Sequence, residues 1–490
     1  MFFLRVCVSA YLRVRRYFPD PPFPGGIILD TYDAIIIGSG QAGNPLAVKF
    51  AVSGKKIALV EKEHIGGSCV NVGCSPTKTM EASGRVAHIL SRAVDYGVVF
   101  QGPFTVDMGV VRRRKREIVT AFSSGDEAKL KRRSVEIVWG QARFVSGQEI
   151  EVDLNKGGTR RLKAALIFID TGTRPAVPEI EGLSACSVLD NETIMELDRV
   201  PDHLLIIGGG YIGMEFARMF RRFGSQVTIV HRGNHVLSQE DEDVAQAIQE
   251  IYIRDGIRII LEADTHSAHQ DTEGKIHLRL TCREGEETIV GTHLLLATGR
   301  VPNTDMLNLA AAGVEMDENG YIVTNERLET TAPGIYALGD VKGGPAFTHI
   351  SYDDYRIVRS NLFENGEAVI SDRIVPYVVF IDPQLGRVGL SEKEAAERNV
   401  PFKKVKMPMA HVARALEVDE TDGFMKALVD PDSGRILGFA CLGMEGGELM
   451  AVVQVAMAGG LTWQDLKNMV FAHPTLAESL NNLFSLVERT

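Results

Sequence analysis

The chain has 490 residues with 45 % apolar and 24 % charged side chains, too long for one hydrophobic core and ordinary for a globular enzyme of about two to four domains. Its net charge of −11 argues against nucleic acid or an anionic membrane surface as the main partner. No apolar run approaches the roughly 18 residues of a membrane span, and the chain reads as a cytoplasmic protein.

Residues 1–29 differ in composition from the rest of the chain. Arg5, Arg13, Arg15 and Arg16 precede the first acid, Asp20, and a proline-rich run covers 19–24. An Arg-rich, acid-poor targeting peptide has this composition, and so does a start with no fold of its own. Folded sequence is expected from Tyr32. Asp33-Ala-Ile-Ile-Ile37 fits a buried parallel strand. Gly38-Ser-Gly40-Gln-Ala-Gly43 then reads as a phosphate-binding turn opening a helix, followed by a strand over 56–60 that ends in Glu61. Gly38 permits the tight turn, Gly40 admits a pyrophosphate against the backbone, and Gly43 lets helix and strand pack closely. The free N–H groups of the helix start face the anion, and Glu61 stands where a carboxylate accepts from ribose hydroxyls.

Six cysteines are too few for a disulfide scaffold, and Cys7, Cys186, Cys282 and Cys441 are scattered. Cys69 and Cys74 alone are close, just before Ser75-Pro-Thr-Lys78. In an ideal helix residues five apart lie roughly 8–9 Å apart at Cα, beyond disulfide reach. A redox pair therefore requires an irregular first turn, which Gly73 allows. A helix start and Lys78 would both favour a thiolate. Two unpaired buried cysteines remain the alternative. No second Cys/His cluster has zinc spacing, so no metal is expected.

Residues 109–133 read as a charged helix whose basic run, Arg112-Arg-Arg-Lys-Arg116, is expected to be a solvated face. Residues 135–139, 166–170 and 294–298 read as strands, the last two closed by Thr-Gly. The βαβ pattern recurs: a strand over 204–207, Gly208-Gly-Gly210-Tyr-Ile-Gly213, a helix through Phe223 and a strand over 226–230. His231 and Arg232 stand where NAD would take an acid. A cation there suits a 2′-phosphate, so NADPH is favoured over NADH, although Arg232 as a plain surface residue is the alternative. From Tyr377 the pattern becomes that of a separate α+β domain.

Gly66-Gly-Ser-Cys69-Val-Asn-Val-Gly-Cys74-Ser-Pro-Thr-Lys78 closely resembles the active-site motif of the class I pyridine nucleotide-disulfide oxidoreductases, which include glutathione reductase, dihydrolipoamide dehydrogenase and mercuric reductase. The resemblance runs from about Tyr32 to Val487. Ala337-Leu-Gly-Asp340 is similar to the second FAD motif, and Phe471-Ala-His473-Pro-Thr-Leu-Ala-Glu478 to the family's carboxy-terminal His–Glu dyad. The resemblance implies an α/β fold with two Rossmann-like domains, for FAD and NAD(P), and an interface domain. The parts would be 1–29 as an extension, 30–180 and 300–371 as the split FAD domain, 181–299 as the NAD(P) domain and 372–490 as the dimerisation domain. It implies a homodimer in which Cys69 attacks substrate, Cys74 faces the flavin, Lys78 pairs with Glu215, and His473, oriented by Glu478, serves as acid and base. Gly67, Ser68, Ala142, Thr171, Gly172, Asp340, Phe347 and Thr348 would contact FAD, and Gly299 the nicotinamide side.

Mercuric reductases add a vicinal cysteine pair at the carboxy terminus. Here residues 478–490 contain none, which puts efficient Hg(II) reduction in doubt. That tail, and Gly209-Gly-Tyr-Ile-Gly-Met-Glu-Phe-Ala217, are similar to the reactive-chlorine-resistance branch, whose members reduce Cu(II). Ser75 departs from the usual apolar residue and leaves the thiols intact. The expected activity is electron transfer from NAD(P)H through FAD and the cysteine pair to a small disulfide or metal ion. A dihydrolipoamide dehydrogenase, or a flavoprotein redox sensor using the same thiols, are the alternatives.

Overall fold

The computed structural model describes residues 29–489 apart from Gln101, so Cys7 and the expected extension, except Leu29, lie outside the described residues. β1 (Leu29–Ile37), α1 (Gly43–Val52) and β2 (Ile57–Glu61) form the first βαβ unit. β1 starts before Tyr32, pairing Leu29 with Arg161. The expected fold start at Tyr32 therefore lies inside the strand, which begins earlier. Residues 29–33 alternate in exposure, and only 34–37 are continuously buried. The apolar run therefore marks only the doubly covered part of a longer strand.

α2 (Gly67–Asn71), α3 (Cys74–Ser91) and α4 (Met108–Arg132) follow. β3 (Glu136–Ser146), β4 (Glu149–Leu154) and β5 (Thr159–Ile169) complete most of the first sheet. β3 and β5 outrun the segments expected at 135–139 and 166–170 because parts of each are buried only at alternate positions. β6 (Thr173–Pro175) and β7 (Val188–Leu189) lead to β8 (His203–Ile207), α5 (Tyr211–Phe223) and β9 (Gln226–Val230), the second βαβ unit. α6 (Glu242–Arg254), β10 (Arg258–Ile260), the antiparallel β11 (Asp264–Gln270), β12 (Ile276–Cys282) and β13 (Gly285–Gly291), and β14 (His293–Leu296) complete it. Its parallel sheet has the order β10-β9-β8-β14-β7.

The chain then returns. β15 (Arg300–Pro302) pairs with β6, β16 (Ile335–Ala337) joins β5 in parallel, and α7 (Thr348–Phe363) packs on α1 through Phe50 and Phe363, 4.9 Å between ring centres. The last domain contains β17 (Pro376–Val379), β18 (Gln384–Gly389), α8 (Glu392–Glu397), β19 (Lys403–Pro408), α9 (Ala413–Glu417), β20 (Phe424–Val429), β21 (Ile436–Gly443), α10 (Gly446–Ala458), α11 (Trp463–Asn468) and α12 (Ser479–Ser485). Its sheet is antiparallel, β17-β18-β21-β20-β19. The fold is thus α/β, with two dinucleotide-binding units and an α+β interface domain.

One apolar cluster joins all three parts. Met80, Met108 and Val111 pack with Met214, Phe216 and Phe220 of α5 and with Val379, Ile381 and Phe424. It lies under α3 and so holds the cysteine segment against both other domains. Among the described residues no helix is long and apolar enough to cross a membrane.

Candidate active site

Cys69 lies in α2 and Cys74 opens α3, with Val72 and Gly73 breaking the helix between them. The irregular turn expected from the spacing is present. A Cβ on Gly73 would stand 2.8 Å from Ser68 O, so only glycine lets the chain double back this tightly. Asn71 fastens the turn by donating to Ile65 O at 3.0 Å and Gly67 O at 2.9 Å. Both cysteines are free thiols. They differ in character. The hydrogen bond from Cys69 pulls Cys74 down to about 6 despite desolvation, with help from the Thr348 hydroxyl, 3.2 Å away, and from Lys78. Cys69 moves up, because it gives that hydrogen bond and is desolvated beside the Cys74 charge. Cys74 is the resting thiolate of the pair.

Lys78 lies one turn past Cys74 on the same face of α3. Its Nζ donates to Glu215 Oε2 at 2.7 Å and sits 4.7 Å from the Phe380 ring centre. Glu215 also accepts from Phe380 N at 2.9 Å, so three domains meet at this pair. Beside it Phe347 stacks on Tyr377 and His349, with ring centres 5.3 and 5.4 Å apart. Tyr211 and Tyr377 both donate to Glu240 Oε1, at 3.0 and 2.8 Å. Burial pushes the Glu240 carboxyl up, against the pull of Arg387. Sequence reasoning missed Glu240 and the two tyrosines, whose partners are distant in the chain.

The first glycine turn has the form of a flavin cradle. Gly38 has φ +102°, and a Cβ there would stand 2.1 Å from Asp170 O. A Cβ on Gly67, with φ +62°, would meet Gly40 Cα at 2.9 Å, so Gly67 packs directly on the loop, with Ser68 next to it in the chain. α1 begins with no acid in its first turn and no cap from the Ala42 side chain, and its first N–H, that of Gly43, donates to Asp170 Oδ2 at 2.7 Å. Glu61 Oε2 accepts from Ser39 N at 3.0 Å and Ser39 Oγ at 2.6 Å, while Oε1 accepts from Glu63 N at 2.8 Å. Asp340 enters from the second segment and accepts from Thr173 Oγ1 at 3.3 Å; burial raises its carboxyl, opposed by Arg300. Arg300 itself donates to Thr173 Oγ1 and O at 2.8 and 2.7 Å. Thr171 donates to Asn303 O at 3.0 Å, and Gly172 faces open space. Ala142 is buried in β3 and offers only its backbone. Thr348 starts α7 and Phe347 precedes it. These residues fit FAD.

The second turn repeats the geometry. A Cβ on Gly208 would stand 2.1 Å from Ala297 O, one on Gly213 would stand 2.0 Å from Gly208 O, and beyond Gly210 and Gly299 there is open space. His231 turns inward. Its Nδ1 accepts from Gly209 N at 3.2 Å, the place that Glu61 takes against Ser39 in the first unit. Burial lowers its pKa. His231 therefore serves the loop as a neutral acceptor and is not a cation, whereas Arg232 is exposed.

His473 stands apart. Its Nδ1 lies 2.8 Å from Glu478 Oε2, and its side chain is 70 % exposed. Among the described residues Glu478 is its hydrogen-bonding partner and no bond links it to either cysteine. The expectation of a solvated basic face on α4 is corrected in part. Lys115 is buried and pairs with Glu196, Arg116 reaches the same carboxylate, Arg112 donates to Glu196 O at 2.7 Å, and Arg114 to Thr79 O at 2.7 Å. Burying a lysine demands a partner, and Glu196 supplies it. The cluster of Asp241, Asp243 and Glu392 is filled by Lys426 Nζ, 2.7–2.8 Å from all three.

Residues 32–354 match the pyridine nucleotide-disulphide oxidoreductase family, and residues 375–484 match its dimerisation domain. The chain is 38 % identical over 466 residues to a probable pyridine nucleotide-disulfide oxidoreductase RclA of Escherichia coli (strain K12), covering 94 % of this chain and 100 % of that protein. It is 33 % identical to a mercuric reductase of Lysinibacillus sphaericus, covering 92 % and 82 %, and 30 % identical to a dihydrolipoyl dehydrogenase of Mycoplasma pneumoniae, covering 92 % and 97 %. The solved Cu(II) complex of the HOCl-induced flavoprotein disulfide reductase RclA from Escherichia coli superposes with a TM-score of 0.85 at 37 % identity, covering 94 % and 100 % of the two chains.

Proposed function

The chain belongs to the pyridine nucleotide-disulphide oxidoreductase family of flavoprotein enzymes, and from that premise we propose that it is an NADPH-dependent reductase that passes electrons through Cys69 and Cys74 to a small disulfide or a metal ion such as Cu(II). The observation that carries this reading is the division of labour at α3: Cys74 held as thiolate beside Thr348 and Lys78, Cys69 held as thiol. The return of β16 to the first sheet supports the split partition 30–180, 181–299, 300–371 and 372–490.

FAD, when bound, supplies a two-electron relay between a nicotinamide hydride donor and the disulfide. The loop 38–43, Glu61 and Asp340 would hold it, with Ser68, Ala142, Thr171, Gly172, Phe347 and Thr348 around it. The second turn, Gly299 and Arg232 would hold the nicotinamide cofactor, Arg232 taking the 2′-phosphate. The Lys78–Glu215 pair fixes a positive charge beside the inner thiolate. For a disulfide RSSR the reduced pair does the rest. Cys69 loses its proton to His473 of the partner subunit and attacks one sulfur, forming a mixed disulfide and releasing RS⁻, which takes the proton back. Cys74 then attacks the Cys69 sulfur, re-forming the enzyme disulfide and releasing the second RS⁻. The raised Cys69 pKa explains why a base is needed. The family's dimerisation domain supports a homodimer.

The test is an anaerobic NADPH titration followed by small disulfides, Cu(II) and Hg(II). Re-oxidation of the reduced thiol pair by at least one acceptor is expected. Dihydrolipoamide-dependent reduction of NAD⁺ at a higher kcat/KM than any of these would overturn the proposal.

A further inference from the structure

Asp170 follows β5 directly and lies beneath the first glycine loop. The second βαβ unit offers an internal comparison. Asp170 O is 2.1 Å from where a Cβ on Gly38 would stand, and Ala297 O is 2.1 Å from where one on Gly208 would stand. A Cβ on Gly213 would meet Ala297 Cβ at 3.3 Å, and one on Gly43 would meet Asp170 Oδ2 at 2.9 Å. Ala297 thus occupies the place of Asp170, so the turn needs no carboxyl to fold.

That carboxyl touches both flavin-site segments. Oδ2 accepts from Gly43 N at 2.7 Å and is 2.7 Å from where a Cβ on Gly40 would stand. Oδ1 is 2.8 Å from where a Cβ on Gly339 would stand, immediately before Asp340. Asp170 is 7 % exposed, and among the described residues it forms no ion pair. The charged groups that face it are Asp340, Asp354 and Glu61, all acids. The nearby cations are engaged elsewhere. Arg373 donates to Asp354 at 2.8 Å, Lys342 lies 3.4 Å from it, and Arg300 is bonded to Thr173 beside Asp340. An ionised carboxylate here would be desolvated, unpaired and set against a pyrophosphate. Burial drives the Asp170 acid well up; the Gly43 N–H opposes this, and the three acids add to it.

We propose that Asp170 is a positioning residue of the flavin site: held as the neutral acid, it holds loop 38–43 through Gly43 N and packs that loop against the turn at Gly339, and its ionisation loosens FAD. Below its folded-state pKa the acid is neutral and the cradle closed. As pH rises through that value the site gains a negative charge and affinity falls.

The experiment measures FAD dissociation constants by flavin fluorescence on reconstituted apoprotein, from about pH 6 to about pH 9, for the parent, D170N and D170A. The isosteric amide of D170N keeps the neutral group. D170N should match the parent within about twofold at every pH where Asp170 is the neutral acid, and the parent should weaken relative to D170N only where Asp170 ionises. D170A should bind roughly tenfold more weakly throughout. D170N binding FAD roughly tenfold more tightly than the parent at the low end of the range would overturn the proposal, as would parental affinity in a folded D170A. If D170A does not fold, the comparison of D170N with the parent decides alone.

Discussion

Cys74 and Cys69 are chemically identical side chains that the fold separates by environment. Cys74 takes a hydrogen bond from Cys69 and faces Thr348 and Lys78, which places it at about 6. In the two-electron-reduced enzyme, long-wavelength absorbance from thiolate against flavin should grow as pH rises through about 6 and fade below it, because the thiolate is the ionised form. Cys69→Ser should keep that band and Cys74→Ser should abolish it; the reverse pattern in a spectral titration would exchange the two roles. Arg232 is the exposed cation beside the second cradle. Arg232→Ala should cost NADPH about 1.5–3 kcal/mol of binding and leave NADH nearly unchanged, as KM for the two cofactors would report; equal losses would remove Arg232 from cofactor selection. At this scale much of the site was legible. The thiols, Lys78 and both glycine turns announce themselves by local spacing. Glu240 did not, because Tyr377 is 137 residues away in the chain. His231 was legible as a non-acid but not as a loop acceptor, since that depends on which way its ring turns.

α3 carries a polar stripe outward from the thiols: Lys78, Glu81, Arg85 and His88. It faces Glu215, Arg218 and Arg222 of α5 and Asp382 of the last domain. Arg85 and Arg222 each pair with Asp382 at 2.6 Å, and Arg85 also reaches Glu420. Burial opposes ionisation of Asp382, yet Arg222 and Arg85 hold its carboxyl below the usual range. The side chains are 15 % and 7 % exposed for Asp382 and Arg222, so removing the shared anion leaves the buried Arg222 uncompensated. Asp382→Asn should destabilise the protein by about 3 kcal/mol, seen as a lower denaturation midpoint near neutral pH. The difference from the parent should shrink in acid, as the parent's Asp382 becomes protonated. A midpoint unchanged at neutral pH would show that the stripe contributes no net stability. The elements themselves were legible where burial is continuous, as in residues 34–37 and 204–207. They were cut short where it alternates, as in β3, and the basic run of α4 misled because charge alone does not reveal that Glu196 waits across a domain boundary.

The whole molecule brings the thiols, the flavin cradle and the nicotinamide cradle together within one chain, but not the dyad. His473 is bonded to Glu478 and open to solvent. The last domain also exposes apolar side chains, Val470 at 96 % and Val455 at 73 %, which suit contact with a second copy. A two-fold axis makes one such contact complete two sites at once. On the proposed reading Cys69, held as the thiol, would meet a base from the other chain, with Glu478 fixing the imidazole so that its free nitrogen faces the thiol. His473→Ala should therefore slow disulfide turnover by about 10²–10⁴ while leaving the rate of flavin reduction by NADPH unchanged, since that step needs no proton from His473. Mixing inactive His473→Ala and Cys69→Ser proteins supplies the decisive measurement. Random exchange makes half of the dimers mixed, and each mixed dimer has one site with both groups intact, so about a quarter of parental activity should return. No recovery after exchange verified by mass, or full activity in a protein that sediments as a monomer, would show that each chain completes its own site.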